Sequence, residues 1–369
     1  MKRVVLSVTN DLVNDRRVER SIKSLQEQGY TIHFVGRQLA ESRPVKASYS
    51  HKRFKLSFNK GFLFYATFNL RLFFHLLFQK AFDLYWANDL DTLLPNYLVA
   101  KIYRKPLVYD SHEYFKGVPE IQNRPIVKWV WTQLENFLFK RADYHLTVNE
   151  SIANLLESDY GLRPAVVRNI AESYLPEIKK GRADLSLPED AFLLINQGAG
   201  INIDRGMEEA FEALKLLPEN IHLVLVGKGD VIPFLKLKAR EEGLIERVHF
   251  VNPLPYQEMI QYTLQANVGL SLDKDTNINY RFSLPNKLFD YIKCGIPVLS
   301  SQVKEVDKIV RGEGIGISVA VEPKAIAEAV LSIQAEPEKY KQALEIAAQK
   351  HNWEHESKRL AAFIAAIKL

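Results

Sequence analysis

The sequence contains a single cysteine, Cys294, so an internal disulfide is excluded, which fits a reducing compartment. No stretch of membrane-spanning length is free of polar residues, and the apolar run at residues 4–6 is too short for a signal peptide. No Gly-x-Gly-x-x-Gly follows that run, which counts strongly against a nicotinamide-dependent oxidoreductase. We therefore expect a cytoplasmic protein that is soluble or peripheral on the inner face of a membrane.

Acidic residues are absent from residues 42–82, although the whole chain has 44 Asp and Glu against 49 Lys and Arg. This acid-free window holds eight Lys and Arg and eleven Phe and Tyr. The net charge of the whole chain is only +5, so the remainder of the chain is slightly acidic. The window is therefore the main anomaly in the composition.

Short β-rich runs alternate with amphipathic helical patterns, which predicts parallel sheets covered by helices on both faces. Asp15 is expected to cap the first helix, and Gly29 is expected to end it. A long helix is predicted over residues 62–80. The predicted strands of this half are residues 4–8, 31–35, 84–87, 107–109, 144–148 and 166–167.

The periodicity breaks over residues 170–190, which predicts an interdomain linker in a chain of 369 residues, long enough for two domains. A second alternating series follows and ends in three helical patterns. Within it, a short helix over residues 285–294 is stopped by Gly295 and Pro297. The predicted strands of this half are residues 192–196, 222–226, 248–251, 268–272 and 298–300.

Open parallel sheets bind ligands at the carboxyl ends of their strands, so polar and small residues there are candidates. Gly198 follows the first strand of the second half, and Arg205 opens the next helix. Small residues let the backbone approach a phosphate, and a helix N-terminus with an arginine favours an anion. Taken alone, this cluster is better explained by an ordinary strand-to-helix turn with a surface arginine.

A second cluster surrounds Pro285, which presets a helix start and leaves the N–H groups of residues 286–288 free. Lys287 in the first turn opposes the helix dipole, so its position needs a reason such as a bound anion. Asp290, one turn later, could accept hydrogen bonds from ribose hydroxyls. The alternative is a surface ion pair between Lys287 and Asp290. Function is favoured because the unfavourable cation and the helix stop coincide at a strand end.

In the first half, His112 follows an apolar strand, where it could donate to a substrate hydroxyl or to a developing charge. A hydrogen-bonded loop histidine is the alternative and would be preferred without the other clusters. Asn10 and Asp11 follow the first strand, where they either line a cleft or only form turns.

Together these residues resemble the retaining, two-domain glycosyltransferases of family 4, which have the GT-B fold. Residues 15–18 with the helix ending at Gly29 look like the N-terminal half of that family, and residues 109–113 look like its histidine loop. Residues 198–206 and 227–230 are similar to its phosphate-side loops. Residues 284–287 and 295–298 flank its nucleotide-binding helix, and residues 353–369 look like the C-terminal helix that crosses back to the first domain.

The resemblance implies an α/β architecture of two facing Rossmann-like domains with a central cleft. It implies an acceptor-binding domain of residues 1–170 with helix 354–369, and a nucleotide-sugar-binding domain of residues 171–353. A sugar would pass from a nucleotide-diphosphate sugar to a saccharide or lipid-linked saccharide with retention, as in cell-envelope polysaccharide biosynthesis. No nucleic acid partner is expected. The other implied donor-binding residues are Gly227, Lys228, Leu254, Ser283, Asn286 and Leu288, and the implied cleft residues are Arg16 and Glu113 with Asn10 and Asp11.

The implied mechanism follows from charge. Arg205, Lys287 and the N–H groups of residues 286–288 would stabilise the leaving diphosphate, and His112 would reach a hydroxyl of the sugar. Asp89 and Asp91 match the Asp-x-Asp pattern of metal-dependent sugar transfer, but three residues are a weak signature. We expect a helix-capping role for this pair and predict neither a metal nor a cofactor.

Two departures from the family pattern concern the sugar. Phe282 stands where the family commonly has the first of two glutamates, and Asp290 stands at the second position. Ala199 replaces an arginine that commonly follows the loop glycine. Contacts to the transferred sugar must therefore differ, or come from the backbone and from Asn286 and Lys287.

The acid-free window suggests the acceptor, because an apolar helix flanked by Lys52, Arg53, Lys55 and Lys60 can lie in a membrane interface beside anionic lipid. A core helix beside a basic loop is an equal alternative. Two further functions stay open. Another GT-B enzyme, such as a sugar-nucleotide epimerase, would need acid–base carboxylates, none of which stands out. A non-catalytic scaffold that binds membrane or nucleic acid is permitted by the basic window.

Overall fold

The computed structural model describes residues 2–13, 15–40, 42–45, 47–175 and 180–369. Backbone contacts divide the chain into two units, Met1–Asn169 with Glu356–Leu369, and Ile170–His355. The sequence predicted these divisions after residues 170 and 353. Each unit is an α/β domain with its own parallel sheet.

The first domain is built on a seven-stranded parallel sheet with the order β3-β2-β1-β4-β5-β6-β7. The central strands β4 and β5 are buried along their whole length, as expected for a parallel sheet covered on both faces. The strands are β1 (Lys2–Asp11), β2 (Tyr30–Gln38), β3 (Ser50–Lys55), β4 (Leu84–Asn88), β5 (Leu107–Ser111), β6 (Tyr144–Thr147) and β7 (Ala165–Val166). The helices are α1 (Arg16–Glu27), α2 (Gly61–Phe78), α3 (Leu90–Tyr103), α4 (Pro119–Gln122), α5 (Pro125–Leu138) and α6 (Glu150–Tyr160).

The first helix begins as the sequence predicted, because the side chain of Asp15 accepts a hydrogen bond from the Val18 N–H at 3.2 Å. The end of β1 differs from the prediction, since Asn10 and Asp11 belong to the strand instead of to a following turn. The prediction also missed β3 inside the acid-free window. Its burial alternates little and its exposed residues are polar, two of them lysines, which is typical of a sheet edge.

The second domain has a six-stranded parallel sheet with the order β10-β9-β8-β11-β12-β13. The prediction missed β13, which is only four residues long, and several helices of this half. The strands are β8 (Phe192–Gly198), β9 (Ile221–Gly227), β10 (Val248–Val251), β11 (Val268–Ser271), β12 (Val298–Ser301) and β13 (Gly316–Val319). The helices are α7 (Met207–Leu214), α8 (Ile232–Glu241), α9 (Tyr256–Leu264), α10 (Ile278–Arg281), α11 (Asn286–Cys294), α12 (Lys304–Glu313), α13 (Pro323–Ala335) and α14 (Lys341–Lys350).

The predicted linker at residues 170–190 is part of the second domain over most of its described length. Leu185 and Leu187 are buried and join the core of that domain. Residues 176–179, which also fall in the predicted linker, lie outside the described residues. A short apolar segment between prolines and charges carries no periodicity, which is why the sequence did not reveal this packing.

The last helix, α15 (Trp353–Ala365), joins the first domain from Glu356 onward. Glu356 is fully buried and accepts hydrogen bonds from the backbone N–H of Arg168 at 2.9 Å and from its guanidinium at 2.8 and 3.0 Å. The chain therefore returns to its first domain, as the resemblance implied. A buried carboxylate paired in this way fixes where the helix docks.

Replacement of Gly227 by alanine should destabilise the protein. Gly227 has φ +139°, and an added Cβ would lie 1.9 Å from the carbonyl oxygen of Gly198. Strain at such a backbone position is worth about 1–3 kcal/mol before the clash is counted. Thermal unfolding followed by circular dichroism should show a lower Tm for Gly227→Ala. The control is Gly312→Ala, where no atom lies within 4 Å of the added Cβ. Equal Tm values for the two variants would contradict this reading of the loop.

Candidate active site

Strand order places a switch point in the second domain between β8 and β11, which are neighbours in the sheet although β9 and β10 intervene in sequence. Such a switch leaves a crevice beyond the carboxyl ends of the two strands. Gly198 ends β8, and Asp273 follows β11 by two residues. The hydroxyl of Ser283, just before α11, donates to Asp273 Oδ2 at 3.0 Å. The loops after β8 and β11 and the start of α11 therefore meet at this edge.

Arg205 is partly neutralised in the free protein. Its Nη1 lies 2.7 Å from Oδ2 of Asp273, whose side chain is 1% exposed, and its guanidinium stacks 4.1 Å from the ring centroid of Tyr280. Its buried Nε has no hydrogen-bond partner in the described chain, and neither does Oδ1 of Asp273. The guanidinium is thus oriented on one edge by Asp273 and left unsatisfied on another.

Lys287 stands close to this pair with no ion-pair or hydrogen-bond partner of its own among the described residues. Burial and, to a lesser extent, Arg205 lower its pKa to about 8, against the opposing effect of Asp273. A half-buried ammonium without a counterion is unfavourable, and a bound anion would relieve it. The alternative of a surface ion pair between Lys287 and Asp290 is wrong, since no such pair forms in the described residues.

The N-terminus of α11 offers two of the three N–H groups that the sequence predicted. Pro285 is the N-cap and provides no side-chain cap, and the N–H groups of Asn286 and Lys287 have no acceptor in the described structure. The Leu288 N–H instead donates to the Pro285 carbonyl at 3.1 Å, and the Leu288 side chain is fully buried in the core. Leu288 is therefore a structural residue whose N–H is already used.

The glycine loops at the ends of β8 and β9 are joined by two backbone hydrogen bonds. The Lys228 N–H donates to the Gly198 carbonyl at 3.2 Å, and the Ile201 N–H donates to the Lys228 carbonyl at 3.0 Å. The space in which a Cβ of Gly198 would lie is open, so a ligand can approach the backbone there. The Lys228 side chain is exposed, whereas Leu254 is half-buried against the core.

Asp290, which the sequence predicted to bind ribose hydroxyls, is buried and already hydrogen-bonded within the domain. It is 2% exposed, and its two carboxylate oxygens accept hydrogen bonds from Gln197 Nε2 at 3.0 Å and from the Tyr256 hydroxyl at 2.7 Å. A contact from Asp290 to ribose hydroxyls would require Tyr256 to move. The carboxylate therefore holds the side chains of Gln197 and Tyr256 in place.

In the first domain, His112 belongs to a buried chain of charges. Arg17 donates to the Asp110 carboxylate at 2.6 Å, and Asp110 Oδ2 lies 3.7 Å from His112 Nε2. His112 Nδ1 lies 3.2 Å from Asp89 Oδ2. Burial by itself lowers the pKa of His112, but Asp89 and Asp110 outweigh it and raise the pKa to about 9. His112 is therefore an imidazolium at neutral pH, and its buried Nε2 has no hydrogen-bond partner among the described residues.

The helix-capping role predicted for Asp89 and Asp91 is wrong. Asp89 stands at the N-cap position of α3 with φ 60°, but its side chain makes no cap bond and accepts the His112 N–H at 2.8 Å. Asp91 accepts a hydrogen bond from Thr9, and burial together with Asp89 raises its pKa to about 7. Among the described residues no group of three or more His, Cys, Asp or Glu is placed to hold a metal.

The predicted cleft residues have different environments. Asn10 and Glu113 are exposed, and the Glu113 carbonyl accepts a hydrogen bond from Ser111 at 2.7 Å. Arg16 is half-buried on α1, and it is the adjacent Arg17 that is buried and binds the site through Asp110.

The predicted membrane residues differ as well. Lys52, Lys55 and Lys60 are exposed at the sheet edge and at the start of α2. Arg53 is instead largely buried: its Nη1 lies 3.3 Å from Asp11 Oδ1 and donates to the Arg43 carbonyl at 2.8 Å. Arg53 therefore stabilises the end of β1, and Asp11 is its partner.

Sequence reasoning missed Asp273, Tyr280 and Arg17. The strand-end rule that singled out Gly198 also applies to the strand ending at Ser271, and it would have found Asp273 two residues later. Tyr280 and Arg17 gave no such signal, because a stacking contact and the direction of one arginine among two depend on the fold.

Comparison with known proteins agrees with this architecture. The model of Glycosyltransferase Family 4 matches residues 15–171, and that of Glycosyl transferases group 1 matches residues 178–351. The chitobiosyldiphosphodolichol beta-mannosyltransferase of Candida albicans is 22% identical over 236 residues, which are 57% of this chain and 50% of that protein. The chain thus spans about half the length of the curated relative it matches.

Two solved structures share the fold along the whole chain. Sucrose-phosphate synthase from Thermosynechococcus elongatus superposes with a TM-score of 0.84 at 17% identity, over 99% of this chain and 98% of that one. Anabaena Alr3699/HepE, solved with UDP and glucose, superposes with a TM-score of 0.77 at 16% identity over 100% of both chains. The two sheets and these matches define a GT-B glycosyltransferase.

Within that class the chain belongs to the family 4-like, group 1 glycosyltransferases, which confirms the predicted family and fold. Membership of a glycosyltransferase family argues against a nicotinamide-dependent oxidoreductase. It does not by itself assign the donor, the acceptor or the stereochemistry.

Substitution of Lys287 by methionine should stabilise the free protein at pH 7. The folded-state pKa of about 8 lies below the ordinary 10.5, so the unfolded chain binds more protons between these values. The penalty of the buried charge is therefore complete below pH 8 and fades as the pH rises towards 10.5. Calorimetric Tm values should be higher for Lys287→Met than for wild type at pH 7, with a smaller difference at pH 10.

The matched control is Lys308→Met, which removes an exposed lysine on α12 and should leave Tm unchanged. A lower Tm for Lys287→Met at pH 7 would mean that Lys287 has a stabilising partner in the folded chain.

Proposed function

We propose that the protein transfers a sugar, with retention and without a metal ion, from a nucleoside diphosphate sugar to a saccharide or lipid-linked saccharide acceptor. The observation that carries the proposal is the ammonium of Lys287, which lies without a counterion beside the N-terminus of α11. An anion that meets both the charge and the free N–H groups has the chemistry of a diphosphate.

The ammonium and the free N–H groups at the start of α11 act on the leaving group of the reaction. Cleavage of the glycosyl–phosphate bond builds negative charge on the diphosphate. The Lys287 ammonium and the N–H groups of Asn286 and Lys287 are fixed in advance to receive it. Preorganised donors of this kind are typically worth roughly 3–4 kcal/mol of barrier each. The Gly198 backbone, open where a side chain would stand, admits the phosphates to this edge.

Arg205 contributes a second charge whose direction is set by Asp273. The ion pair at 2.7 Å holds one edge of the guanidinium, and the unsatisfied Nε is a remaining donor for a phosphate oxygen. Asp273 also limits the net positive charge in the free protein. Arg205 is thus a binding residue, and Asp273 is a positioning residue that acts through it.

We assign to His112 the positioning of a hydroxyl of the transferred sugar. Its raised pKa of about 9 keeps it cationic at neutral pH, so its Nε2–H is a charge-assisted donor. Positive charge develops on the sugar as the bond breaks, and Asp89 and Asp110 offset the charge of the imidazolium. With retention, an oxygen of the leaving phosphate accepts the acceptor's proton on the same face, so no carboxylate base is needed.

We further propose a lipid-linked acceptor and a role in cell-envelope polysaccharide assembly. The Candida relative is named for a diphosphodolichol-linked saccharide, which supports an acceptor of that kind. An enzyme that uses such an acceptor is expected to be cytoplasmic and peripheral on the inner face of a membrane. The Anabaena structure with UDP and glucose makes UDP the first nucleotide to test.

Isothermal titration calorimetry with UDP, GDP, ADP and NAD at pH 7 tests the proposal. One nucleoside diphosphate should bind, NAD should not, and Lys287→Met should weaken binding by about 10- to 100-fold, the value of one charge-assisted hydrogen bond. Lys308→Met is the control and should bind like wild type. Failure of all three nucleoside diphosphates to bind would overturn the donor site.

Binding of the nucleoside diphosphate should also weaken as the pH rises. Lys287 loses its proton above about pH 8 in the free protein, so affinity at pH 9.5 should fall on the order of 30-fold relative to pH 7. An arginine stays charged in this range, so Lys287→Arg should lose most of that decline. A wild-type affinity that is flat from pH 7 to 9.5 would show that the Lys287 charge does not contact the ligand.

A further inference from the structure

Three helices of the first domain, α2, α3 and α5, pack side by side and form an apolar outer surface, which we term the helical face (residues 61–78, 90–103 and 125–138). Adjacent members are in contact, and aromatic pairs link them, with ring centroids 5.1 Å apart for Tyr65 and Trp131 and 6.1 Å apart for Tyr97 and Phe137. The helical face therefore belongs to one rigid layer of the domain.

Large apolar side chains are exposed along the whole helical face. Phe62 and Phe78, at the two ends of α2, are each 80% exposed, and on α5 Ile126 is 77% and Trp129 is 64% exposed. Ile102 continues the surface on α3 at 56%. Scattered apolar residues are normal on a protein surface, but large apolar side chains exposed together on three packed helices indicate a contact with a partner or with a membrane.

Acidic side chains are nearly absent from the same helices. Their only acids are Asp91 and Glu135. Glu135 is fully buried and accepts a hydrogen bond from the Tyr160 hydroxyl at 2.9 Å, and Asp91 accepts one from Thr9. The surface that the helical face presents is therefore apolar, cationic or, at Gln133 and Asn136, neutral and polar, with no exposed carboxylate.

Cations border the helical face where its helices end. A cavity of about 490 Å³ lies beside the C-terminus of α3 and the segment after α5. Its charged lining is mainly cationic and consists of Lys101, Arg104, Lys105, Arg141 and Lys368 with the carboxylate of Asp143. Lys105 is paired with Asp83 at 3.1 Å, but the Arg104 side chain has no partner among the described residues. Exposed apolar side chains beside a cationic cavity match the two chemistries of an anionic phospholipid, its acyl chains and its phosphate.

We propose that the helical face lies against an anionic lipid bilayer, with apolar side chains in the interface and a lipid phosphate in the cavity lined by Arg104 and Arg141. This proposal rests on the proposed function in one respect, since contact with a membrane would bring the enzyme to a lipid-linked acceptor. The surface differs from the one predicted from the sequence, since Arg53 is tied to Asp11 and the apolar contacts come mainly from α2 and α5.

The helical face lies along the bilayer and does not cross it. By length and composition α2 could span a membrane, but Phe64, Phe68, Leu72 and Leu76 form a buried stripe that packs inside the domain. The opposite side of α2 carries Phe62, Phe74 and Phe78 outward. A helix held on one side by its domain and apolar on the other is suited to interfacial binding.

Cosedimentation of the full chain with vesicles tests the proposal. Vesicles of phosphatidylcholine with about 30% phosphatidylglycerol should bind the protein, and pure phosphatidylcholine should bind it more weakly. The double variant Phe78→Glu, Trp129→Glu should lower binding by at least about tenfold, because it removes two interfacial aromatic side chains. Arg104→Glu should remove most of the preference for phosphatidylglycerol and leave binding to pure phosphatidylcholine nearly unchanged.

The matched control is Phe234→Glu, Leu237→Glu on α8 of the second domain, two apolar residues that are 53% and 55% exposed. It should bind vesicles like wild type, and all variants should bind the nucleoside diphosphate equally, which separates this test from that of the donor site. Equal vesicle binding by the two double variants overturns the proposal. So does a concentration-dependent dimer that Phe78→Glu, Trp129→Glu dissociates, since the face would then be an interface between copies of the chain.

Discussion

The ammonium of Lys287, held without a counterion, is the constraint on which the chemistry of the second domain depends. Burial and, to a lesser extent, Arg205 hold its pKa near 8, and a cation in the first turn of a helix also opposes the helix dipole. Asp273 is close enough to relieve part of this, yet its Oδ2 is already bonded to Arg205 and Ser283. The protein without a ligand therefore keeps an unfavourable positive charge. Binding of the proposed diphosphate would neutralise this charge, and that neutralisation would favour binding.

In the first domain, acidic neighbours stabilise the charge of a buried cation. His112 is an imidazole that burial alone would keep neutral, and Asp89 and Asp110 reverse this and hold it charged. Arg17 in turn keeps the pKa of Asp110 well below its usual range, so the carboxylate stays ionised under His112. In the second domain Lys287 thus has no acidic partner among the described residues, whereas in the first domain two carboxylates flank His112. That difference suits the two charges of glycosyl transfer, since the diphosphate becomes negative while the sugar becomes positive.

The sequence was informative where a local rule has one outcome. Asp15 caps α1 because an N-cap carboxylate bonds the N–H three residues later, and Gly198 lies at the carboxyl end of β8, where the strand rule looks for ligand-binding residues. It failed where the outcome depends on which way a side chain turns. Arg16 and Arg17 are equivalent in sequence, and Asp290 has the helical phase of a surface residue, yet Tyr256 from α9 covers it. The edge strand β3 was missed because its residues are mainly polar.

The composition of the acid-free window indicates a surface without exposed acids, although the residues of the window have different individual roles. The absence of carboxylates over residues 42–82 reflects two separate needs. At the sheet edge, Arg53 must neutralise the buried Asp11, and a nearby competing acid would weaken that pair. On α2, an acid on the outer side would interrupt a surface that α3 and α5 also keep free of exposed carboxylates. The second need is visible only in the fold, because α5 begins more than forty residues after the window ends. Three helices that are separate in sequence but share this property argue for selection on the whole surface.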